Sequence, residues 1–268
     1  MNDDGSAVTF DRALTLVRFL RERCDWDARQ TPRSLVPYLL EEAHEVAEAI
    51  ARDDEEGLAH ELGDLLFNVA FQAVLARERA AFTPEDIVRG LEERMRRRHP
   101  HLYGDGPRED WESLKARERT GGTTDVSILD GVATGLDPLS RAQRVQDRAA
   151  GIGFDWNGPE GAIAKVREEL EEIAALVGAA SSERIEEELG DLLFSVVNVA
   201  RLTGAHAMLA MRSANAKFER RFRSIEQLAR TRAIDLASAP LSVMDALWEE
   251  VKRGEQDELR DPHLTPGA

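Results

Sequence analysis

HELGDLLFNVAFQAV, residues 60–74, and EELGDLLFSVVNVAR, residues 187–201, carry the same seven letters, ELGDLLF, once in each half of a 268-residue chain. Each copy sets an acid pair three residues apart, Glu61 with Asp64 and Glu188 with Asp191, among leucines at helical spacing. Residues three or four apart share one face of an α-helix. An apolar helix face has little use for two carboxylates, so a pattern written twice asks for a chemical reason.

The same period runs outward from both copies. Ile163, Val166, Leu170, Ile173 and Val177 form one apolar stripe, and Ile185, Leu189, Leu192, Val196 and Val199 form the next. Leu39, Val46 and Ile50, then Leu58, Leu62, Leu65 and Val69, repeat the scheme in the first half. Spacings of three and four predict amphipathic helices. A further helix is expected roughly over residues 205–232, and another near Ser242, which with Asp245 reads as a capping box. Alternating strand patterns are essentially absent, so the expected class is all-α.

The halves match in order as well as in type. Asp25-Trp26-Asp27 answers to Asp155-Trp156-Asn157, and Glu41-Glu42-x-x-Glu45 to Glu168-Glu169-x-x-Glu172. Fifteen residues then separate Glu45 from Glu61 and Glu172 from Glu188. Arg94 to Arg98 answers to Lys217 to Arg221, and Trp111 to Lys115 answers to Trp248 to Lys252. Between them TGGTTDVSILDGVATGLDP turns to Gly, Thr and Asp, a composition that favours turns. The expected organisation is an N-terminal repeat over 1–119, a linker over 120–137 and a C-terminal repeat over 138–268.

Bulk properties narrow the function. A formal charge of −16 makes bare nucleic acid and anionic membranes poor general partners. The single cysteine, Cys24, excludes an intramolecular disulfide and suits a reducing compartment. The N-terminus has no basic segment leading into an apolar one, and no apolar run approaches a membrane span. The expected location is the cytoplasm.

The acids themselves suggest a metal. Glu169 and Glu172 project together from one helix, Glu188 and Asp191 from the next, and the fifteen-residue spacer permits a turn that faces the pairs. Four converging carboxylates repel, and some would have to take up protons unless a cation joined them. Magnesium takes oxygen ligands and often shares substrate phosphates, whereas the lack of His or Cys beside these acids argues against zinc. A di-iron carboxylate bundle would need Glu-x-x-His pairs, which neither ELGD copy supplies. A non-enzymatic helical module with solvated acids is the remaining alternative.

CDWDARQT, YLLEEAHEV, ELGDLLF and RRRHPH, then LSRAQRVQDRAAGIGFDW, EELEEI, EELGDLLF, NAKFERRF and WEEVKR together resemble the MazG-type nucleoside triphosphate pyrophosphohydrolases, whose pattern is EExxE, a spacer, then ExxD. The resemblance spans nearly the whole chain. It implies tandem all-α helical-bundle repeats that form a homodimer. It also implies Mg²⁺-dependent hydrolysis, with Mn²⁺ as a substitute, of nucleoside triphosphates such as ATP to the monophosphate and pyrophosphate. Broad base tolerance would extend to non-canonical or damaged nucleotides. By this resemblance Glu169, Glu172, Glu188 and Asp191 are the metal ligands, with Glu42, Glu45, Glu61 and Asp64 a second, weaker set. Glu168 would orient or deprotonate the attacking water. Lys165, Arg184, Lys217, Arg220 and Arg221 would meet phosphate oxygens, and Trp248 would offer a flat surface to the base.

Plainer roles exist for each. Lys165 and Arg184 stand four residues before Glu169 and Glu188, a spacing that equally suits ordinary ion pairs. Arg220 and Arg221 could be solvated, Trp248 could be core, and His99-Pro-His101 is read as the end of a basic helix without metal. The first repeat has Tyr38 where the second has Lys165, and Gly57 where it has Arg184. It therefore keeps its acids but lacks two cations, which points to a principal active site in the second repeat.

Overall fold

The computed structural model describes residues 7–104, 114, 118, 127–178 and 181–260. Trp111 and Lys115, and residues 120–126 of the expected linker, lie outside the described residues. All regular structure among the described residues is helical, in two compact units, Met1–Arg108 and Glu109–Ala268. No single described helix is long and apolar enough to cross a membrane.

The first unit contains α1 (Ala7–Arg23), α2 (Asp25–Arg29), α3 (Val36–Ala51), α4 (Glu55–Glu78), α5 (Pro84–Arg98) and α6 (Pro100–Tyr103). Asp54 caps α4 by accepting a hydrogen bond from the Gly57 N–H at 2.9 Å, and Glu55 and Glu56 place negative charge at the positive end of the helix dipole. Asp53, at φ 54°, reverses the chain between α3 and α4, which pack together as a hairpin. The later half of α4 is buried on several faces because α1 and α3 both lie against this helix. Ala70, Phe71, Ala73, Val74 and Leu75 meet Leu14 and Val17 of α1 and Leu35 there. Truncating the fully buried Phe71 to alanine would cost about 3–5 kcal/mol. Arg21 ties the end of α1 to α4 through two 2.7 Å hydrogen bonds to Glu78, and donates to the Asp27 carbonyl at 2.7 Å. Thr83 and Asp86 form a reciprocal capping box at the start of α5.

The second unit contains α7 (Pro138–Ala150), α8 (Pro159–Leu176), α9 (Ser182–Leu202), α10 (Ala207–Thr231) and α11 (Leu241–Arg260). Helices α8 and α9 form a hairpin, and α7 packs on α9 and α10. Gln143 of α7 accepts from the first N–H of α10, at Ala207, at 3.0 Å. Buried Arg148 donates from α7 to the carbonyls of Ile128 and Asp130 and so holds residues 128–130 against the unit. Helix α11 packs on α10 alone among the described helices, around Ile225, Ala229 and Leu247, with Trp248 at the edge of that core.

Helix α11 begins at Leu241, one residue before Ser242, which is therefore helical rather than a cap; Pro240 has already directed the chain into the first turn. The expected apolar stripes are only partly covered. Ile163, Leu170 and Val177 on α8, Leu189 and Val196 on α9, and Ile50, Leu62 and Val69 in the first unit remain exposed within the single chain.

Candidate carboxylate metal site

Glu169, Glu172 and Glu188 bring carboxylate oxygens within 4.8 Å of one another across the α8–α9 hairpin. The spacing explains the convergence: Glu169 and Glu172 lie on one face of α8, and the α9 copy of ELGD turns Glu188 toward them. Glu169 is only 3% exposed, and its Oε2 has no hydrogen-bond partner. Burial, the Glu169 charge and a hydrogen bond shared with Glu188 push the Glu172 carboxyl above the usual range. This is the conflict that crowded acids meet without a cation.

Lys165 supplies a partial answer from within the chain. Its Nζ lies 2.6 Å from Glu169 Oε1 and 2.8 Å from Glu168 Oε1. Hydrogen bonds to Glu168, then to Glu169, raise the lysine above its ordinary value, so it stays charged. Here Lys165 makes the ion pairs that its spacing allowed, at the rim of the carboxylate cluster. Gly161, one turn earlier, leaves room for the Trp156 indole: a Cβ there would stand 2.3 Å from Trp156 Cε3.

The other sequence-designated residues are placed differently. Asp191 is exposed one turn beyond Glu188 and does not join the three-carboxylate group. Arg184 is exposed one turn before Glu188 and makes no ion pair with it. Lys217 is exposed on α10. Arg220 and Arg221 both reach Glu255 of α11, at 3.3 and 2.8 Å. The Arg221 guanidinium also lies 5.6 Å from the Trp248 ring centre, and Phe218 lies 5.5 Å from it. Trp248 thus sits in the α10–α11 hairpin, and α11 makes no contact with α8 or α9. The structure brings the three glutamates and Lys165 together; it does not bring Trp248 to them within one chain.

The first unit holds a matching group, Glu42, Glu45 and Glu61, with oxygens within 4.8 Å of one another. Burial, then the charges of Asp64, Glu45, Glu61 and Glu41, raise the Glu42 carboxyl. None of its three glutamates is buried as Glu169 is. Tyr38, in place of Lys165, turns an edge to Trp26 with ring centres 5.9 Å apart. Gly57, in place of Arg184, serves the Asp54 cap, since a Cβ there would stand 2.4 Å from Asp54 Oδ2. Each departure from the second repeat thus has a local structural use, a ring contact for Tyr38 and room for the Asp54 cap at Gly57.

Sequence reasoning passed over the polar residues that follow the second ELGD motif. Asn198 and Arg201 stand where the first repeat has Phe71 and Val74. Arg201 donates to both Asp155 oxygens and to Asn198 Oδ1. Extending the repeat alignment past ELGDLLF by two turns would have exposed the contrast.

A family model described as the MazG nucleotide pyrophosphohydrolase domain matches the chain twice, over residues 30–103 and 157–225. The nucleoside triphosphate pyrophosphohydrolase of Escherichia coli K12 is 41% identical over 259 residues, covering 92% of this chain and 98% of that protein. The nucleoside triphosphate pyrophosphohydrolase/pyrophosphatase MazG of Thermotoga maritima is 40% identical over 256 residues, covering 94% of this chain and 98% of that protein. The uncharacterized protein YabN of Bacillus subtilis is 38% identical over 257 residues, which span 52% of its length.

Proposed function

This chain belongs to the MazG nucleotide pyrophosphohydrolase family, and from that premise we propose that it hydrolyses nucleoside triphosphates to the monophosphate and pyrophosphate, principally in its second repeat. The observation that carries the choice of site is the buried, unpartnered Oε2 of Glu169 within a three-glutamate cluster. A buried carboxylate oxygen without a donor costs about 1–3 kcal/mol, and a hard cation satisfies it with the ligand type it prefers. The residues present fit magnesium, with manganese as a substitute. Glu169, Glu172 and Glu188 would hold the ion, and Asp191, one turn along α9, would complete the set. When bound, the ion supplies positive charge against the phosphate oxygens and makes water more acidic.

The chain's own groups do the rest. Glu169 is fixed by burial and by Lys165, so one wall of the site is set before substrate arrives. Glu168, exposed and hydrogen-bonded to Lys165, can orient water and accept its proton. Lys165 remains charged beside the acids and can turn from Glu168 to a phosphate oxygen. Arg184 projects from the start of α9 with its guanidinium unengaged by Glu188, and gives a second phosphate contact. Lys217, Arg220 and Arg221 add positive charge on α10. Hydrolysis at the α–β linkage needs this charge neutralisation and an in-line water. Specificity for the phosphate chain would leave the base broadly tolerated, non-canonical and damaged bases included.

The first repeat keeps its acids without the two cations, and we assign it a structural or regulatory role. The apolar residues left exposed on α8 and α9 favour association with a second copy. The test of the activity is incubation of the full chain with a panel of triphosphates and Mg²⁺. Pyrophosphate with the monophosphate is the expected product, and orthophosphate with the diphosphate would contradict the reading.

A further inference from the structure

Helices α8 and α9 carry the three glutamates, and the chain joins these helices at one end, through residues 177–181. Helix α8 packs on α9 alone among the described helices. At about 1.5 Å per residue, Glu169 lies about 12 Å from Val177, and Pro159 lies about 27 Å from it. A hairpin that pivots at its turn therefore passes about 1 Å to Glu169 for every about 2 Å of parting at the open end. Magnesium holds oxygens at about 2.0–2.1 Å in near-ideal octahedral geometry, so a shift of that size is large. Whatever closes the open end of the hairpin bears on the site.

Asp155 and Arg201 stand at that end. Asp155 precedes α8 by four residues, and Arg201 is the last residue but one of α9. Arg201 Nη1 donates to Asp155 Oδ2 at 2.9 Å, and Nη2 donates to Oδ1. Asn198 seats the arginine, its Oδ1 accepting from Nε at 3.1 Å and from Nη2 at 2.7 Å. The Arg201 side chain is 12% exposed, so water competes little for the pair. Asp155 Oδ1 also accepts from the Trp156 N–H at 2.8 Å. The Trp156 indole lies in turn against bare Gly161 in the first turn of α8. Contacts thus run from the end of α9, through Asp155 and Trp156, to the helix that carries Glu169.

The first repeat closes the matching end with the charges exchanged. Arg21, ahead of α3, donates from Nε and Nη2 to Glu78, the last residue of α4, at 2.7 Å each. Its Nη1 donates to the Asp27 carbonyl at 2.7 Å and so holds the segment that leads into α3. Phe71 stands at the position of Asn198, and the Arg21 guanidinium lies 5.6 Å from its ring centre. One helix position therefore seats an arginine in each repeat, with a π-face in the first and an amide oxygen in the second. Val74 occupies the place of Arg201, and Ala205 that of Glu78, so neither ion pair is a remnant of the other. Two separately built pairs close the same end of the hairpin.

Resting on the carboxylate metal site proposed above, we propose that Asp155 and Arg201 are positioning residues, which hold α8 on α9 so that Glu169 and Glu172 face Glu188 at the separation a divalent cation needs. Neither is a ligand; both act through the two helices. The pair sets this separation before the ion arrives, and without it part of the binding energy goes into drawing the helices together.

The experiment follows Mn²⁺ binding to the full chain without nucleotide, by loss of the free-ion EPR signal. A Glu45→Ala/Glu61→Ala background removes the first repeat's acids, so the ion counted belongs to the second repeat. Melting temperature is read beside it. In Asp155→Ala and in Arg201→Met the Kd for Mn²⁺ is expected to rise about tenfold or more, the scale at which groups behind a metal's ligands tune its affinity. The double variant should fall within about twofold of either single one, because both break one pair. Arg201→Lys keeps a charge-assisted bond and should recover most of the affinity. Gly161→Ala keeps the ion pair and favours the helix, but its Cβ displaces the indole; Mn²⁺ affinity should fall without a lower melting temperature. An affinity unchanged in Asp155→Ala or in Gly161→Ala, whatever the melting temperatures, would overturn the positioning role and leave the carboxylate site standing. Fully additive losses in the double variant would also overturn it, since the two residues would then act apart. A background protein that binds no Mn²⁺ would remove the carboxylate site and this inference with it.

Discussion

Replacing Glu169 with leucine should stabilise the metal-free protein while destroying its function. Glu169 is 3% exposed, and one of its two carboxylate oxygens has no hydrogen-bond partner. Leaving a buried polar group unsatisfied costs about 1–3 kcal/mol, a cost that leucine of similar volume removes. The opposing loss is the 2.6 Å pair with Lys165, which is 39% exposed and retains Glu168 at 2.8 Å. A partly exposed pair of this kind contributes about 0–1 kcal/mol. The net gain is therefore between about 0 and about 3 kcal/mol, centred on about 1.5 kcal/mol, which is roughly 3–6 °C in Tm at about 2–4 °C per kcal/mol for a unit of this size. The wild type should in turn be stabilised by Mg²⁺, by about 2.7 kcal/mol at a hundredfold excess over Kd. Calorimetry of both proteins, with Mg²⁺ and with chelator, reads all four values. A leucine variant that melts below the wild type in chelator, and still gains as much from Mg²⁺, would refute both the orphaned carboxylate and the metal site.

Lys165→Ala with Arg184→Ala should raise KM or lower kcat substantially, while Glu45→Ala with Asp64→Ala leaves most pyrophosphate release intact; steady-state kinetics with one nucleotide compares them. Asp155 is held below its ordinary value of 3.8, chiefly by its hydrogen bond to Arg201. A depressed carboxyl contributes stability above its unfolded pKa and loses it as pH falls through the folded value. Acid titration of the melting temperature should therefore show a fall below about pH 4 that is weakened in Asp155→Asn. Light scattering at micromolar concentration should give twice the 29.8 kDa chain mass, because a second copy would cover Leu170, Val177, Leu189 and Val196; a monomer mass would contradict this.

The helices and the repeat were legible because 3.6-residue periodicity and the ELGDLLF copies are local signals. Glu169, Glu172 and Glu188 converge for the reason their spacing suggests: one face on each of two helices joined by a short turn. Spacing also puts Asp191 on the Glu188 face; it is exposed and its oxygens lie outside the group formed by the three glutamates, so its place as a fourth ligand rests on the proposed ion. The partners of Lys165 could not be chosen from spacing, which suits a phosphate contact and an ion pair alike. Ser242 carried a capping pattern that Pro240 pre-empted, whereas the same pattern at Thr83 and Asp86 forms the box. Asn198 and Arg201 stand where the first repeat has Phe71 and Val74, and only the fold shows that Arg201 is spent on Asp155 and Asn198 while Phe71 and Val74 join the core.

The most direct measurement is ³¹P NMR of ATP incubated with Mg²⁺ and the full chain, beside Glu172→Ala/Glu188→Ala and Glu45→Ala/Glu61→Ala. The wild type and the first-repeat variant are expected to yield AMP and pyrophosphate in equal molar amounts, and the second-repeat variant neither. Pyrophosphate from the second-repeat variant, with none from the first-repeat variant, would place the active site in the other half of the chain.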